Sequence, residues 1–134
     1  MKPNLIIMTH GRLAAEMLRS AEMVAGRIEN AFALCLTEEN GILGLKAELY
    51  RLLDTMKADA PILFLVDLPG GTPCDLAVEI MRKRERTVIL TGVNLMMPVE
   101  FALSAGEDLH VLAERLIVSS IGSLTAIKNL DDFK

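Results

Sequence analysis

The stretch Leu5-Ile6-Ile7-Met8-Thr9-His10-Gly11 decides how this chain folds. Four apolar residues in a row, with no polar alternation, mark a strand covered on both faces. The run stops at a threonine, presents a histidine and turns on a glycine. From Arg12 the spacing becomes helical, with Ala14, Met17, Leu18, Ala21, Val24 and Ala25 assigned to one buried face. A strand that passes straight into such a helix opens a parallel α/β sheet, whose ligands bind at the carboxyl ends of the strands. Chain order alone therefore puts His10 at a crevice.

The same unit then recurs. Ala31 to Leu36 is a second apolar run, read as a strand covered on both faces and followed by a turn at Thr37 to Gly41. The next helix should bury Ile42, Leu45, Leu49, Leu52, Leu53 and Met56 and must end before Pro61. Ile62 to Val66 is the third strand and ends in Asp67; Leu68-Pro69-Gly70-Gly71-Thr72-Pro73 leads from it into a helix. There Thr72 reads as the N-cap and Pro73 as the first helical residue. Asp75 is a first-turn acid, and Arg82, Lys83, Arg84 and Arg86 make the far end basic, which suits the helix dipole. Thr87 to Thr91 is the fourth strand, closed by Gly92-Val93-Asn94. A fourth helix is expected from Pro98 to Gly106, and a fifth, entered through Glu107 and Asp108, that buries Leu109, Leu112, Ala113, Leu116 and Ile117. Leu124 to Ile127 reads either as a short fifth, antiparallel strand or as a helical turn.

These elements predict an α/β fold: a doubly wound, mostly parallel sheet of four strands in the order 2-1-3-4, forming a single domain over residues 1–134. In that order the first and third strands are neighbours where the winding reverses. His10 and Asp67 should then face one crevice, with Thr9 and Asn94 on its wall.

Composition narrows the chemistry. The chain is 51% hydrophobic and 24% charged, with a net charge of −4, no tryptophan and no basic tract, so a nucleic-acid footprint is absent. The apolar runs are strand-sized, well short of the ~20 residues of a membrane span. Met1-Lys2-Pro3-Asn4 precedes a run too short for a signal-peptide core. Cys35 and Cys74 lie far apart in sequence, as expected for reduced thiols in a cytoplasmic protein. A Gly-x-Ser-x-Gly elbow and a Gly-Lys-Ser/Thr phosphate loop do not occur. His10, Asp67 and Cys74 would form a zinc triad only by coincidence, so neither metal nor cofactor is expected.

A carboxylate that accepts the protonated ring nitrogen of a histidine fixes the tautomer and leaves the other nitrogen free as nucleophile or base. Asp67 is the available carboxylate for His10. Gly70 and Gly71 let backbone N–H groups approach a ligand, and Thr72 adds a hydroxyl at a helix start, where unpaired donors cradle an anion. Each feature has a plainer meaning: a strand-end histidine, a loop aspartate, a tight turn, an N-cap. Their combination favours phosphoryl transfer through a phosphohistidine. With no ATP-binding motif the phosphoryl group must come from a partner, which makes the protein a relay. His110 and Arg12 read as solvated, Cys74 as a small apolar residue and Asn94 as a turn residue that shapes the crevice.

Thr9-His10-Gly11, Phe64-Leu65-Val66-Asp67 followed by Gly70-Gly71-Thr72-Pro73, and Gly92-Val93-Asn94-Leu95 together resemble the mannose-family enzyme IIA domain of the bacterial sugar phosphotransferase system. The resemblance implies that the histidine matched by His10 accepts a phosphoryl group from the phosphocarrier HPr and passes it to a IIB partner. That partner would serve sugar uptake through membrane IIC and IID components. It implies that Asp67 orients the histidine, that Thr72 fills the hydroxyl position of the glycine loop, and that the protein is a homodimer whose C-terminal strand, here Leu124 to Ile127, crosses to its neighbour. Met96 departs from the family's proline and Asp75 from its asparagine. With no fused IIB domain in this sequence, the expected acceptor is a separate chain. A relay subunit of a dihydroxyacetone kinase and a non-catalytic sensory module controlled by phosphorylation are the competing readings. A response-regulator receiver would need an acidic pair where Thr9-His10 stands.

Overall fold

The computed structural model describes residues 2–133. Its four strands, β1 (Asn4–His10), β2 (Ala31–Leu36), β3 (Ile62–Val66) and β4 (Thr87–Leu90), form one sheet in the order β2-β1-β3-β4, and every pairing is parallel. The helices are α1 (Leu13–Ala25), α2 (Gly41–Leu53), α3 (Thr72–Met81), α4 (Met96–Leu103) and α5 (Leu109–Gly122), with a short 3-10 turn over Leu130–Phe133. The predicted doubly wound sheet is thus the observed one, without the fifth strand. Leu124 to Ile127 pairs with nothing in the described residues and is exposed.

Why β1 and β3 are apolar without interruption is plain from the two layers. Leu5, Ile7, Leu63 and Leu65 point to one face, where they pack with Leu90 and with Ala14, Ala21, Phe101, Leu112 and Leu116 of α1, α4 and α5. Ile6, Met8, Ile62, Phe64 and Val66 point to the other, against Leu45, Leu49, Leu53, Leu76, Ala77 and Ile80 of α2 and α3. Successive side chains alternate between faces, so a strand with helices on both sides has no polar position to spare. β2, at the sheet edge, is half-buried along its whole length. Val24 is exposed although it was assigned to the buried stripe of α1. At about 100° per residue it lies some 80° from Ala14, off the stripe. Ile42, in the first turn of α2, is exposed as well.

Two helix starts differ from expectation for local reasons. α4 begins at Met96 rather than Pro98 because the Asn94 side chain accepts the Met96 N–H at 3.0 Å and its carbonyl accepts the Met97 N–H at 3.1 Å. Pro98 then falls in the first turn, where a missing N–H costs nothing. The helix closes early, at Leu103, as the Ser104 hydroxyl donates to the Phe101 carbonyl at 2.6 Å. α3 is entered from Gly71 instead of Thr72, the Gly71 carbonyl accepting the Asp75 N–H at 2.8 Å. α5 starts where predicted, with the Asp108 carboxylate accepting the His110 N–H at 3.0 Å.

Between the helices, Tyr50 of α2 donates to Glu79 of α3 at 2.6 Å, and Arg115 of α5 bonds both Glu100 of α4 and Glu107. Phe64, fully buried in β3, is among the largest fully buried side chains. Phe64→Ala should cost about 3–5 kcal/mol through the cavity left between β3 and the α2–α3 layer. Urea unfolding should show this as a fall in midpoint without a change of slope.

Candidate functional site

Alternation along β1 distributes the two polar residues at its end. His10 continues the row of Ile6 and Met8 toward the α3 side, and Thr9 continues that of Leu5 and Ile7 toward α1. Thr9 is accordingly buried completely, and its hydroxyl accepts the Ala14 N–H at 2.7 Å. It secures the start of α1 and forms no exposed crevice wall, contrary to expectation. Asn94 is likewise engaged in starting α4, and it lines a groove beside β4.

His10 and Asp67 meet. The Asp67 Oδ2 accepts the His10 backbone N–H at 2.9 Å and lies 2.9 Å from the ring Nδ1, while Oδ1 accepts the Leu68 N–H at 3.0 Å. The Asp67 carboxyl is held below its ordinary value. Burial pushes it up, but the backbone and ring N–H groups of His10, the ring's charge and the Leu68 N–H together pull it further down. An ionised carboxylate only accepts, so in the neutral ring the proton sits on Nδ1 and the lone pair on Nε2. The His10 side chain is 45% exposed and that of Asp67 14%, which suits a reactive ring held by a sheltered anchor.

The backbone around this pair is tied down on both sides. The Gly11 N–H donates to the Leu36 carbonyl of β2 at 2.7 Å, and the Gly92 N–H to the Asp67 carbonyl at 3.0 Å. Gly11 sits at φ +60° and Gly70 at +82°, left-handed turns that a side chain would strain. Gly71, next to Gly70, is extended and abuts the imidazole, which brings the start of α3 to the ring. No side chain caps that helix, and the Thr72 and Cys74 N–H groups have no acceptor within it. Thr72, half-buried, is the first residue of α3 and not its cap. The anchoring N–H groups of His10 and Leu68 and the clamp from Gly92 escaped sequence reasoning, since a backbone donor has no residue signature. Gly92 directly after a strand was the only available signal. Leu13, Leu68 and Leu95 also stand out, being large apolar side chains left exposed in the segments that follow β1, β3 and β4.

Among the described residues no three His, Cys, Asp or Glu side chains gather as a metal site, and no helix is long and apolar enough to cross a membrane. Residues 4–116 match the family model EIIA-man, described as "PTS system fructose IIA component". The chain belongs to this family. It is 36% identical over 108 residues to the PTS system mannose-specific EIIAB component of Escherichia coli (strain K12), an alignment that covers 78% of this chain and 32% of that protein. The chain thus spans about a third of the length of the EIIAB relatives it matches. It is 31% identical over 106 residues to the fructose-specific EIIA component of Bacillus subtilis (strain 168), covering 79% and 72%. Among solved structures, the mannose/sorbose specific IIA subunit from Enterococcus faecalis superposes with a TM-score of 0.88 at 37% identity, covering 96% of this chain and 97% of that one. The phosphotransferase-system IIA family is therefore shared in sequence and in three dimensions.

Because the Asp67 carboxyl is depressed in the folded state, it adds stability above its unfolded value, about 4, and loses that contribution as pH falls through the lower folded value. Asp67→Asn should remove this acid-limb dependence. A carboxamide keeps a single acceptor oxygen, so at least one of the three N–H groups loses its partner at a cost of about 1–3 kcal/mol. Thermal unfolding of both proteins from pH 3 to 7 measures the difference (roughly the window set by the carboxylate range).

Proposed function

We propose that this chain is the phosphoryl-carrying IIA component of a sugar phosphotransferase system, working in the cytoplasm, with His10 Nε2 as the atom that carries the group. The observation that supports it best is the 2.9 Å contact between Nδ1 and Asp67, in a family member whose ring is exposed beside a helix start. The incoming donor is a phosphohistidine of HPr. The Nε2 lone pair attacks its phosphorus, the donor's P–N bond breaks, and the electron pair returns to the donor's ring nitrogen. Phosphorylated His10 then carries positive charge on its ring, which Asp67 offsets through the Nδ1–H hydrogen bond. The N–H groups of Gly71, Thr72 and Cys74 and the Thr72 hydroxyl surround the phosphoryl oxygens, with Gly70 shaping the turn that delivers them. A second transfer, to a nucleophile on a IIB partner, restores the free imidazole; membrane IIC and IID components are reached only through that partner. The exposed Leu13, Leu68 and Leu95, in the segments that follow β1, β3 and β4, offer a docking protein apolar side chains.

The chain also acts as a homodimer on this reading. β4 is one of the two edges of the sheet, β2 being the other, and the groove of about 390 Å³ beside β4 is lined by Ile89, Ile117, Ile121 and Leu124. The exposed Leu124 to Ile127 segment of a second copy fits such an edge as an added strand. Sedimentation equilibrium should give a dimer for the whole chain and a monomer for the chain ended after Gly122.

Incubation with phosphoenolpyruvate, enzyme I and HPr should label His10 with an acid-labile, alkali-stable phosphoryl group. His10→Ala should take up none. Label on any other residue, or an unlabelled wild-type chain, overturns the proposal; sugar uptake supported by His10→Ala would point to a sensory module instead.

A further inference from the structure

We propose that Gly71 is a positioning residue for His10, and that its service is an empty space rather than a bond. This rests on the phosphoryl-relay reading above. The two adjacent glycines of the loop are required for different reasons. Gly70 has φ +82° and open space around its Cα, so only its backbone conformation excludes a side chain. Gly71 has φ −82° and ψ 174°, an extended conformation any residue adopts. What excludes a side chain there is the imidazole. A Cβ on Gly71 would lie 2.9 Å from Cε1 of His10 and 3.6 Å from Nε2, with the Leu68 side chain 3.8 Å away on another side.

Carbon atoms settle at about 3.5–4.0 Å, so an alanine at 71 must push the ring edge away by more than half an ångström. The ring cannot yield freely, because its opposite edge is bound to Asp67 through Nδ1 at 2.9 Å. It can yield only by leaving that carboxylate for solvent, where an exposed histidine costs the fold little. The bare Cα of Gly71 and the Asp67 carboxylate therefore hold the imidazole from two sides: one sets where Nδ1 is, the other lets Nε2 stand against the start of α3. A side chain at 71 breaks the pair without touching either partner's chemistry. A displacement of this size at a reacting atom lowers a rate by about ten- to a hundredfold.

The test compares wild type, Gly71→Ala, His10→Ala and the double variant His10→Ala/Gly71→Ala. In wild type, ¹⁵N NMR of the His10 ring should show the proton on Nδ1 and a bare Nε2; in Gly71→Ala it should show a mixture of tautomers. Phosphorylation by phospho-HPr should slow about ten- to a hundredfold at saturating donor in Gly71→Ala, with little change in the donor concentration that half-saturates it. Removing the imidazole removes the obstacle, so the double variant should melt at the same temperature as His10→Ala. This holds even if Gly71→Ala alone fails to fold. The proposal is overturned by a Gly71→Ala protein with wild-type tautomer and rate, or by a double variant less stable than His10→Ala, which would mean that the loop itself needs the glycine. A wild-type chain that takes no phosphoryl group sinks the relay reading, while the ring spectra still decide the role of Gly71.

Discussion

One carboxylate organises the working end of this protein. Asp67 receives three N–H groups, two from His10 and one from Leu68. Each is a modest bond alone, but together they join the ends of β1 and β3 across the point where the sheet reverses its winding. The same contacts settle a chemical question. A carboxylate kept ionised by its donors dictates the tautomer of the ring it touches, and so decides which nitrogen faces outward.

The rest of the architecture serves to make that meeting repeatable. Both strands are buried at the sheet centre, locked by apolar side chains on two faces. Their ends therefore have little freedom, and the loops beyond them are stitched to β2 through Gly11 and to the residues after β4 through Gly92. Rigid strands present the site and short loops complete it, which keeps an exposed ring at a fixed place.

Alternation by one residue separates structural from chemical roles at the end of β1. Thr9 and His10 are neighbours in the chain, yet one is sealed beneath α1 and the other stands in solvent beside α3. The polar character of the pair announced a strand end, but only the handedness of the two layers told which residue belonged to which. Asn94, after the fourth strand, uses its side chain to start α4 and also lines the groove beside β4.

Strand and helix periodicity, the order of the elements and the pairing of His10 with Asp67 were all legible in the chain. Apolar continuity records burial on both faces, and a parallel sheet leaves few ways to connect such strands. Tertiary structure alone decided the rest. Backbone donors to Asp67, the burial of Thr9, the exposure of Leu68 and the closeness of Gly71 to the imidazole depend on where separate segments come to lie. Residue identity records a side chain's chemistry and its local backbone preference, but distances of a few ångströms between remote segments arise only when the layers pack.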